Sequence, residues 1–336
     1  MPGKLQDIFG RTFVVGFFLP GAVFTFFTVL LLHCYGILTV QILWDLSNQN
    51  PLMSALLMPL SLWLLAISLQ VANGWIIRRK EGYGLPRWMT WWQRVKLGLL
   101  IKELKALEKA GKDPRPIRHK IAIHFAYHQG LLDYKKLLLP WAFGNTVRAF
   151  EAYPLVMYGF EATRGWGRLL AVVPKDYREL VGGAKAEVDF LVNLWFLSWL
   201  FLLEYVAFAW ITGGFESFWF PVLTYLNVRL SSYWLQGAAV RWGEMVKAAF
   251  DVFLPDLGRQ LGLPAPATRE EAWKTWNQLS EAFLHRWPEN LPAPNPEAVW
   301  HPSDSASEEE MGQETSSAEE PDFHDPVAEV ELSGTR

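Results

Sequence analysis

The sequence predicts an all-α membrane protein with four transmembrane helices arranged as two hairpins, a cytoplasmic helical layer and a disordered acidic C-terminal tail. Three observations indicate this fold class. Hydrophobic residues make up 51% of the chain and charged residues 19%, below the roughly 25% charge typical of soluble domains. The 18 tryptophans are a residue type that collects at membrane–water interfaces. Long segments also contain no Asp, Glu, Lys or Arg.

The first hairpin is predicted within residues 1–77. No charged residue lies between Arg11 and Asp45, or between Asp45 and Arg78. A helix needs about 20 apolar residues to cross roughly 30 Å of hydrocarbon, because its backbone polar groups must all be bonded internally. We therefore expect two spans and a polar turn, at residues 13–38, 52–77 and 48–51. The first apolar run is too long for a signal peptide and no small-residue cleavage site follows it, so we expect an uncleaved span.

The second hairpin, with a cytoplasmic extension, is predicted over residues 189–254. Its spans are expected at 190–211 and 218–240, around a glycine-containing turn. Glu204 and Arg229 are the only strongly charged residues in these spans, and they lie symmetrically about the turn. The pattern predicts an intramembrane charge pair, which would either lock the hairpin or line a path for ions or protons.

Lysine and arginine predict the orientation. The segment Arg78–Lys120 contains thirteen basic and four acidic residues, whereas the two outer turns contain no Lys or Arg. Basic loops stay in the cytoplasm, so residues 78–188 are predicted to form a basic cytoplasmic helical region. The N- and C-termini are then cytoplasmic too, in a multi-pass protein of the inner (plasma) membrane.

A membrane-surface group of basic and aromatic residues is predicted directly after the second span: Arg78, Arg79, Lys80, Trp88, Trp91 and Trp92. Apolar residues continue at helical spacing to Leu107, and Gly111 ends the pattern. One interpretation is a helix that lies on anionic lipid headgroups. The other is a helix packed on its neighbours with a solvated basic face.

Metal, cofactor and nucleic-acid sites have weak support. His124 and His128 are spaced for one face of a helix and are the only metal candidates, but the glutamate of a zinc-enzyme motif is absent between them. Interfacial histidines are the ordinary alternative. Because no phosphate-binding loop or nucleophile elbow occurs, we expect no cofactor and no catalytic residue. Topology already explains the basic residues, so no nucleic-acid partner is expected.

A polar cytoplasmic cluster is predicted before the third span: Arg148, Glu151, Glu161, Arg164 and Arg168. These residues are expected to form an ion-pair network at the membrane surface or a polar interface. They lie in or between the blocks Leu139–Tyr153, Tyr158–Glu161, Trp166–Leu169 and Ala186–Asn193. Across Leu137–Asn193 the chain resembles uncharacterised bacterial multi-pass inner-membrane proteins, although Trp166-Gly167 replaces their Trp-Pro pair. The resemblance implies a bacterial inner membrane and supplies no activity.

The C-terminal region is predicted to contain a linker and amphipathic helix at 255–290 and a disordered acidic tail at 291–336. Thr268 and Glu271 form a capping box at the start of that helix. Residues 288–336 contain thirteen acidic residues and one basic residue, with too little apolar surface to offset chain entropy. The single cysteine, Cys34, excludes an intramolecular disulfide.

The predicted function is that of a non-enzymatic membrane-anchored scaffold or regulatory subunit that acts through its cytoplasmic region. The expected partners are the lipid bilayer with its anionic headgroups and either another protein or further copies of the chain. A subunit of an oligomeric channel or transporter is the alternative, since four spans leave little room for a path within one chain. A membrane-embedded enzyme is the lesser alternative.

Overall fold

The structure, a computed structural model, describes residues 10–37, 51–126, 137–214, 217–286 and 291. Every regular element in these ranges is helical, which confirms the all-α prediction. The main helices are α1 (Arg11–Cys34), α2 (Pro51–Glu81), α3 (Trp91–Lys109), α4 (Arg115–His124), α5 (Ala142–Tyr158), α6 (Ala162–Val172), α7 (Lys175–Thr212), α8 (Trp219–Gln260) and α9 (Arg269–His285). Residues 48–50 of the first outer turn, His128 and the predicted tail except Leu291 lie outside the described residues.

Three helical segments among the described residues are long and apolar enough to cross a membrane: Arg11–Cys34, Pro59–Glu81 and Lys175–Thr212. They coincide with the first, second and third predicted spans. The fourth predicted span forms the first half of α8, where Asn227, Arg229 and Gln236 interrupt the apolar sequence. That half of α8 is therefore less apolar than the other three.

Helices α7 and α8 form an antiparallel pair at the centre of the fold. Asn227 Nδ2 donates a hydrogen bond to Ser198 Oγ at 2.7 Å, and further from the turn Arg241 pairs with Glu187 at 2.6 Å. With 38 and 42 residues, the helices are about 57 and 63 Å long at 1.5 Å per residue. Both exceed a bilayer core of about 30 Å, and the domain boundaries expected at 188/189 and 254/255 fall inside them.

Around this pair, α1 and α2 pack against α7, while α5, α6 and α9 surround the C-terminal half of α8. The second group shares an aromatic core, in which the Phe160 ring lies 6.1 Å from that of Phe250 and 5.1 Å from that of Trp276. The predicted cap of α9 is confirmed, since the Thr268 hydroxyl accepts a hydrogen bond from the Glu271 N–H at 3.2 Å.

The end of α2 is in direct backbone contact with α5. A Cβ added at Gly144 would lie only 2.2 Å from the carbonyl oxygen of Glu81. Only glycine permits this approach. The contact holds the end of α2 against α5, one of the helices packed around α8. A smaller layer, α3 and α4, has its own core and connects to α5 through α4.

Candidate functional site

An exposed apolar surface, which we call the tryptophan stripe, runs along α3 and the turn before it; it consists of Trp88, Trp91, Trp92, Val95 and Leu99. The three indole side chains are 75%, 63% and 64% exposed. Apart from the adjacent Trp91 and Trp92, neighbouring residues of the stripe are three or four residues apart, which places the stripe on one face. The stripe begins shortly after α2 ends, next to the membrane boundary predicted for that helix.

The opposite face of α3 is buried. Leu97, Leu100 and Leu104 pack against Ile121 and Phe125, and all five are less than 9% exposed. The amphipathic helix predicted here therefore contains two apolar faces on opposite sides. One face holds α3 to the rest of the chain, which matches the packed interpretation. The other face is available for a surface outside the chain.

The basic residues at the end of α2 do not all share one surface. Arg78 and Arg79 are exposed, and the Arg79 guanidinium lies 5.4 Å from the centroid of the Trp75 ring. Lys80 is only 9% exposed, so the prediction that it lies on the membrane surface is wrong. Its ammonium donates to Ser232 Oγ at 2.8 Å and lies 4.4 Å from the Trp195 ring. The helical turn directs this side chain towards α7 and α8 rather than outwards.

The five residues of the predicted polar cytoplasmic cluster separate into two groups, and no ion pair joins any two of them within the part of the chain that the structure describes. Arg148 instead donates to the Tyr83 hydroxyl at 3.0 and 3.2 Å and to the Leu137 carbonyl oxygen at 2.8 Å. It thereby connects α5 to the turn after α2. Partial loss of solvation by the surrounding chain raises the pKa of the Glu151 carboxyl, and the nearby positive charge of Arg148 partly opposes that rise.

The second group belongs to α6. Glu161 is the N-cap of this helix, and its carboxylate accepts hydrogen bonds from the backbone N–H groups of Thr163 and Arg164. The Arg168 guanidinium lies 3.7 Å from the centroid of the Phe283 ring, so it covers α9 by a cation–π contact. The expected ion-pair network is therefore replaced by a helix cap and contacts between helices.

Glu204 and Arg229 do not form the expected charge pair. The Glu204 carboxylate accepts a hydrogen bond from Thr28 Oγ1 of α1 at 2.9 Å, whereas Arg229 is exposed on α8. Phe220 is at the level of Glu204, because its ring contacts those of Phe201 and Tyr205. Arg229 lies about 13 Å further along α8 at 1.5 Å per residue. Glu204 and Arg229 are symmetric about the turn in the sequence, but they do not lie at the same depth along the helix pair. Their side chains also point in different directions.

His124 lies at an interface between helices. Its Nδ1 lies 3.4 Å from Thr146 Oγ1 and 3.4 Å from Gln236 Nε2, which places α4 against α5 and α8. Burial, followed by the positive charges of Lys96 and Lys120, lowers the pKa of this imidazole. His128 lies outside the described residues. Among those that are described, no group of three or more His, Cys, Asp or Glu side chains is arranged to hold a metal.

The sequence reasoning missed a concave site between α5, α8 and α9. Tyr153 and Tyr158 both donate to the Asp251 carboxylate, at 2.9 and 2.7 Å. Burial and this hydrogen bond raise the pKa of Tyr158 to about 12. The adjoining cavity has a volume of about 650 Å³ and includes Arg259 and Arg269 in its lining, a size typical of small-molecule sites. No sequence signal identified it, since α5 is far in the chain from α8, α9 and the linker between them, and only the packing brings α5 to this site.

A second missed feature is a buried polar group where α1, α2 and α7 meet, formed by Gly16, Asn73, Lys185, Asp189 and Asn193. The spacing of Asp189 and Asn193 places both on one face of α7 and was visible in the sequence. The contribution of Asn73 from α2 was not visible, because it depends on how the helices pack.

Comparison of the chain with family models, curated proteins and solved structures finds no match. The function is therefore inferred from the geometry of these residues.

Proposed function

We propose that the protein is a non-enzymatic scaffold or regulatory subunit of a bacterial inner membrane, whose cytoplasmic helices lie on anionic lipid headgroups and bind protein partners there. The two-sided α3 carries this proposal. One face belongs to the core of the chain, and the opposite face presents the tryptophan stripe beside exposed Arg94 and half-buried Lys96. Indole rings favour the interface, and each basic residue near an anionic surface contributes about 1 kcal/mol.

The proposal includes four spans with both termini in the cytoplasm. Its support is the antiparallel packing of α8 on α7, because α7 is apolar enough to cross a membrane. The chain between Thr212 and Trp219 is short, so the start of α8 must follow the same path back. Apolar side chains on its outer side are exposed, as a surface that contacts lipid or another membrane helix requires: Val222, Leu223, Leu226 and Leu230.

Self-association is proposed to use the outer face of α8. Tyr225, Arg229 and Tyr233 follow one another at intervals of four residues, and the two tyrosines are 67% and 77% exposed. A charge within a span rarely faces lipid, since it costs about 3 kcal/mol at the bilayer centre. A second copy of the chain covering this face would remove Arg229 from lipid.

The membrane contact of the tryptophan stripe is tested with an environment-sensitive fluorophore. Full-length protein with Cys34→Ser and Trp92→Cys is labelled and placed in lipid nanodiscs with or without anionic lipid. We expect blue-shifted emission, quenching by headgroup-labelled lipid and a stronger effect with anionic lipid. The matched control is Trp273→Cys, which labels a 44% exposed tryptophan on α9 and should respond less. Equal responses at the two positions would refute the proposed contact.

Self-association is tested by oxidative cross-linking in membranes. Tyr233→Cys in the Cys34→Ser background should give a covalent dimer, and Arg229→Leu should change its yield. Leu203→Cys, at a 67% exposed position on α7, is the control and should remain monomeric. Dimers from Leu203→Cys alone would place the interface elsewhere.

A flux assay separates the scaffold from the alternative of an oligomeric channel or transporter. Purified protein in liposomes should give no ion flux above that of protein-free liposomes. Saturable flux that depends on the protein would overturn the scaffold proposal in favour of transport.

A further inference from the structure

A row of lysines continues the exposed side of α3 beyond the tryptophan stripe. Lys102 and Lys109 follow Val95 at intervals of seven residues, and Lys105 lies between them. This spacing places the three lysines on one face of the helix, on the same side as the stripe. All three residues are exposed. We call Lys102, Lys105 and Lys109 the lysine face.

The lysine face has no counter-charge within the part of the chain that the structure describes, where none of its ammonium groups forms an ion pair. The acidic residues on this half of α3 are Glu103 and Glu108. Glu108 is already bound by Arg118 of α4 at 2.7 Å. Like charges three and four residues apart repel one another on a helix. A polyanion lying against this face removes that repulsion.

The chain itself contains a polyanion after α9. From Asp304 to Asp325 there are nine acidic residues and no Lys or Arg; we call residues 304–325 the acidic segment. It belongs to the predicted acidic tail and lies outside the described residues. Its charge is opposite to that of the lysine face. Attraction between surfaces of opposite charge does not depend on one exact set of pairs, so the two sequences are complementary.

The acidic segment is attached close enough to reach the lysine face. Helix α9 contacts Gly159 at the end of α5, and α4 contacts Thr146 near the start of α5. These contacts are about 20 Å apart at 1.5 Å per residue, and α3 packs on α4. With the last turns of α9 and the width of one helix, the distance to cover is about 40 Å. The chain from Arg286 to Asp304 spans up to about 60 Å when extended.

We propose that the acidic segment docks on the lysine face of its own chain. Each exposed pair of an ammonium and a carboxylate contributes little by itself. Several such pairs form together here, and the covalent attachment of the tail keeps its effective concentration near α3 high. The occupant of the lysine face is therefore the tail of the same molecule.

Docking regulates the lipid contact of α3. The lysine face lies on the same side of the helix as the tryptophan stripe, so the acidic segment and anionic headgroups compete for the same ammonium groups. This consequence rests on the proposed function. The docking itself does not, because both of its partners belong to this chain, and it is therefore tested without lipid.

Disulfide cross-linking of the full-length protein in detergent tests the docking. Ala106→Cys places one thiol at an exposed position beside the lysine face, and Ser316→Cys places the other in the acidic segment, both in the Cys34→Ser background. We expect an intramolecular disulfide. Its yield should fall in about 1 M NaCl, where the screening length is only about 3 Å.

Two controls accompany this measurement. The combined change Lys102→Gln, Lys105→Gln and Lys109→Gln should lower the yield by about threefold or more. Ala171→Cys replaces Ala106→Cys at an exposed position on α6, which packs beside α9 and so lies near the start of the tail, and should cross-link less. Equal yields at the two positions, or a yield that the lysine changes leave unaltered, would overturn the proposal. Disulfide-linked dimers in place of the intramolecular product would overturn it in favour of the tail of a second copy.

The reactivity of the lysines gives an independent measurement on protein without new cysteines. Brief acetylation in detergent, followed by mass spectrometry, is compared between the full-length chain and a chain that ends at His301. Loss of the acidic segment should increase the acetylation of the lysine face, because its ammonium groups are no longer covered. Lys274, exposed on α9, is the control and should react alike in both chains. Equal acetylation of the lysine face in the two chains is the result that contradicts docking.

Discussion

Replacing Gly144 by alanine should force α5 away from the end of α2. The added Cβ would lie 2.2 Å from the Glu81 carbonyl oxygen and 2.9 Å from the Glu81 Cα and carbonyl carbon. Ordinary contacts between carbon and oxygen are about 3.3 Å or longer, so the two backbones must separate by about 1 Å. A side-chain rotation cannot relieve the clash, because every atom involved belongs to the backbone of Glu81.

The expected cost follows from two opposing terms. Overpacking of a close contact costs about 1–3 kcal/mol, while alanine gains about 0.8–1 kcal/mol over glycine in a helix. We expect a net loss and a fall in melting temperature of about 2–4 °C, measured by tryptophan fluorescence of the purified protein in detergent.

Gly167→Ala is the matched control for this change. It is also a glycine-to-alanine change within a helix, but an added Cβ there has no atom within 4 Å. It gains the same helix propensity without a clash, so it should melt at the same temperature as the unmodified protein or slightly above it. If Gly144→Ala and Gly167→Ala melt alike, the tight contact between α2 and α5 is refuted.

Three further predictions concern single contacts. Thr268→Ala removes the cap of α9 and should cost about 1 kcal/mol in thermal unfolding, whereas Thr268→Ser should retain most of the stability. Glu204→Leu and Arg229→Leu should have additive effects, to within about 0.5 kcal/mol, whereas Glu204→Leu and Thr28→Val should be non-additive because those two side chains are in contact. Burial lowers the pKa of His124 below 6.5, so the unfolded chain takes up the proton first and stability is lost as the pH falls below 6.5. His124→Gln should reduce that loss in melting curves between pH 7.5 and 5.5; an unchanged pH profile would exclude this role.

The candidate site was predictable only in part. The apolar spacing up to Leu107 was sufficient to predict an amphipathic helix with Trp88, Trp91 and Trp92 at its start, because it depends on local helical geometry, whereas the separate aromatic face was not predicted. Lys80 was predicted to lie on the surface because it directly follows two other basic residues, Arg78 and Arg79, in the sequence. In a helix of 3.6 residues per turn, consecutive side chains point about 100° apart. Only the packed structure decides which of the three basic side chains points inwards.

The sequence by itself determined the helical class, the three most apolar helices and the capped helix at Arg269–His285. Each of these depends on interactions within a short segment: apolar length, helical periodicity and a side chain that caps its own helix. The register between segments was decided only by the tertiary structure. Arg229 does not meet Glu204, and Asn73 meets Asp189, because long helices slide and rotate against each other to pack their side chains. Contacts of this kind depend on the whole surface of both helices, and no local pattern in the chain records them.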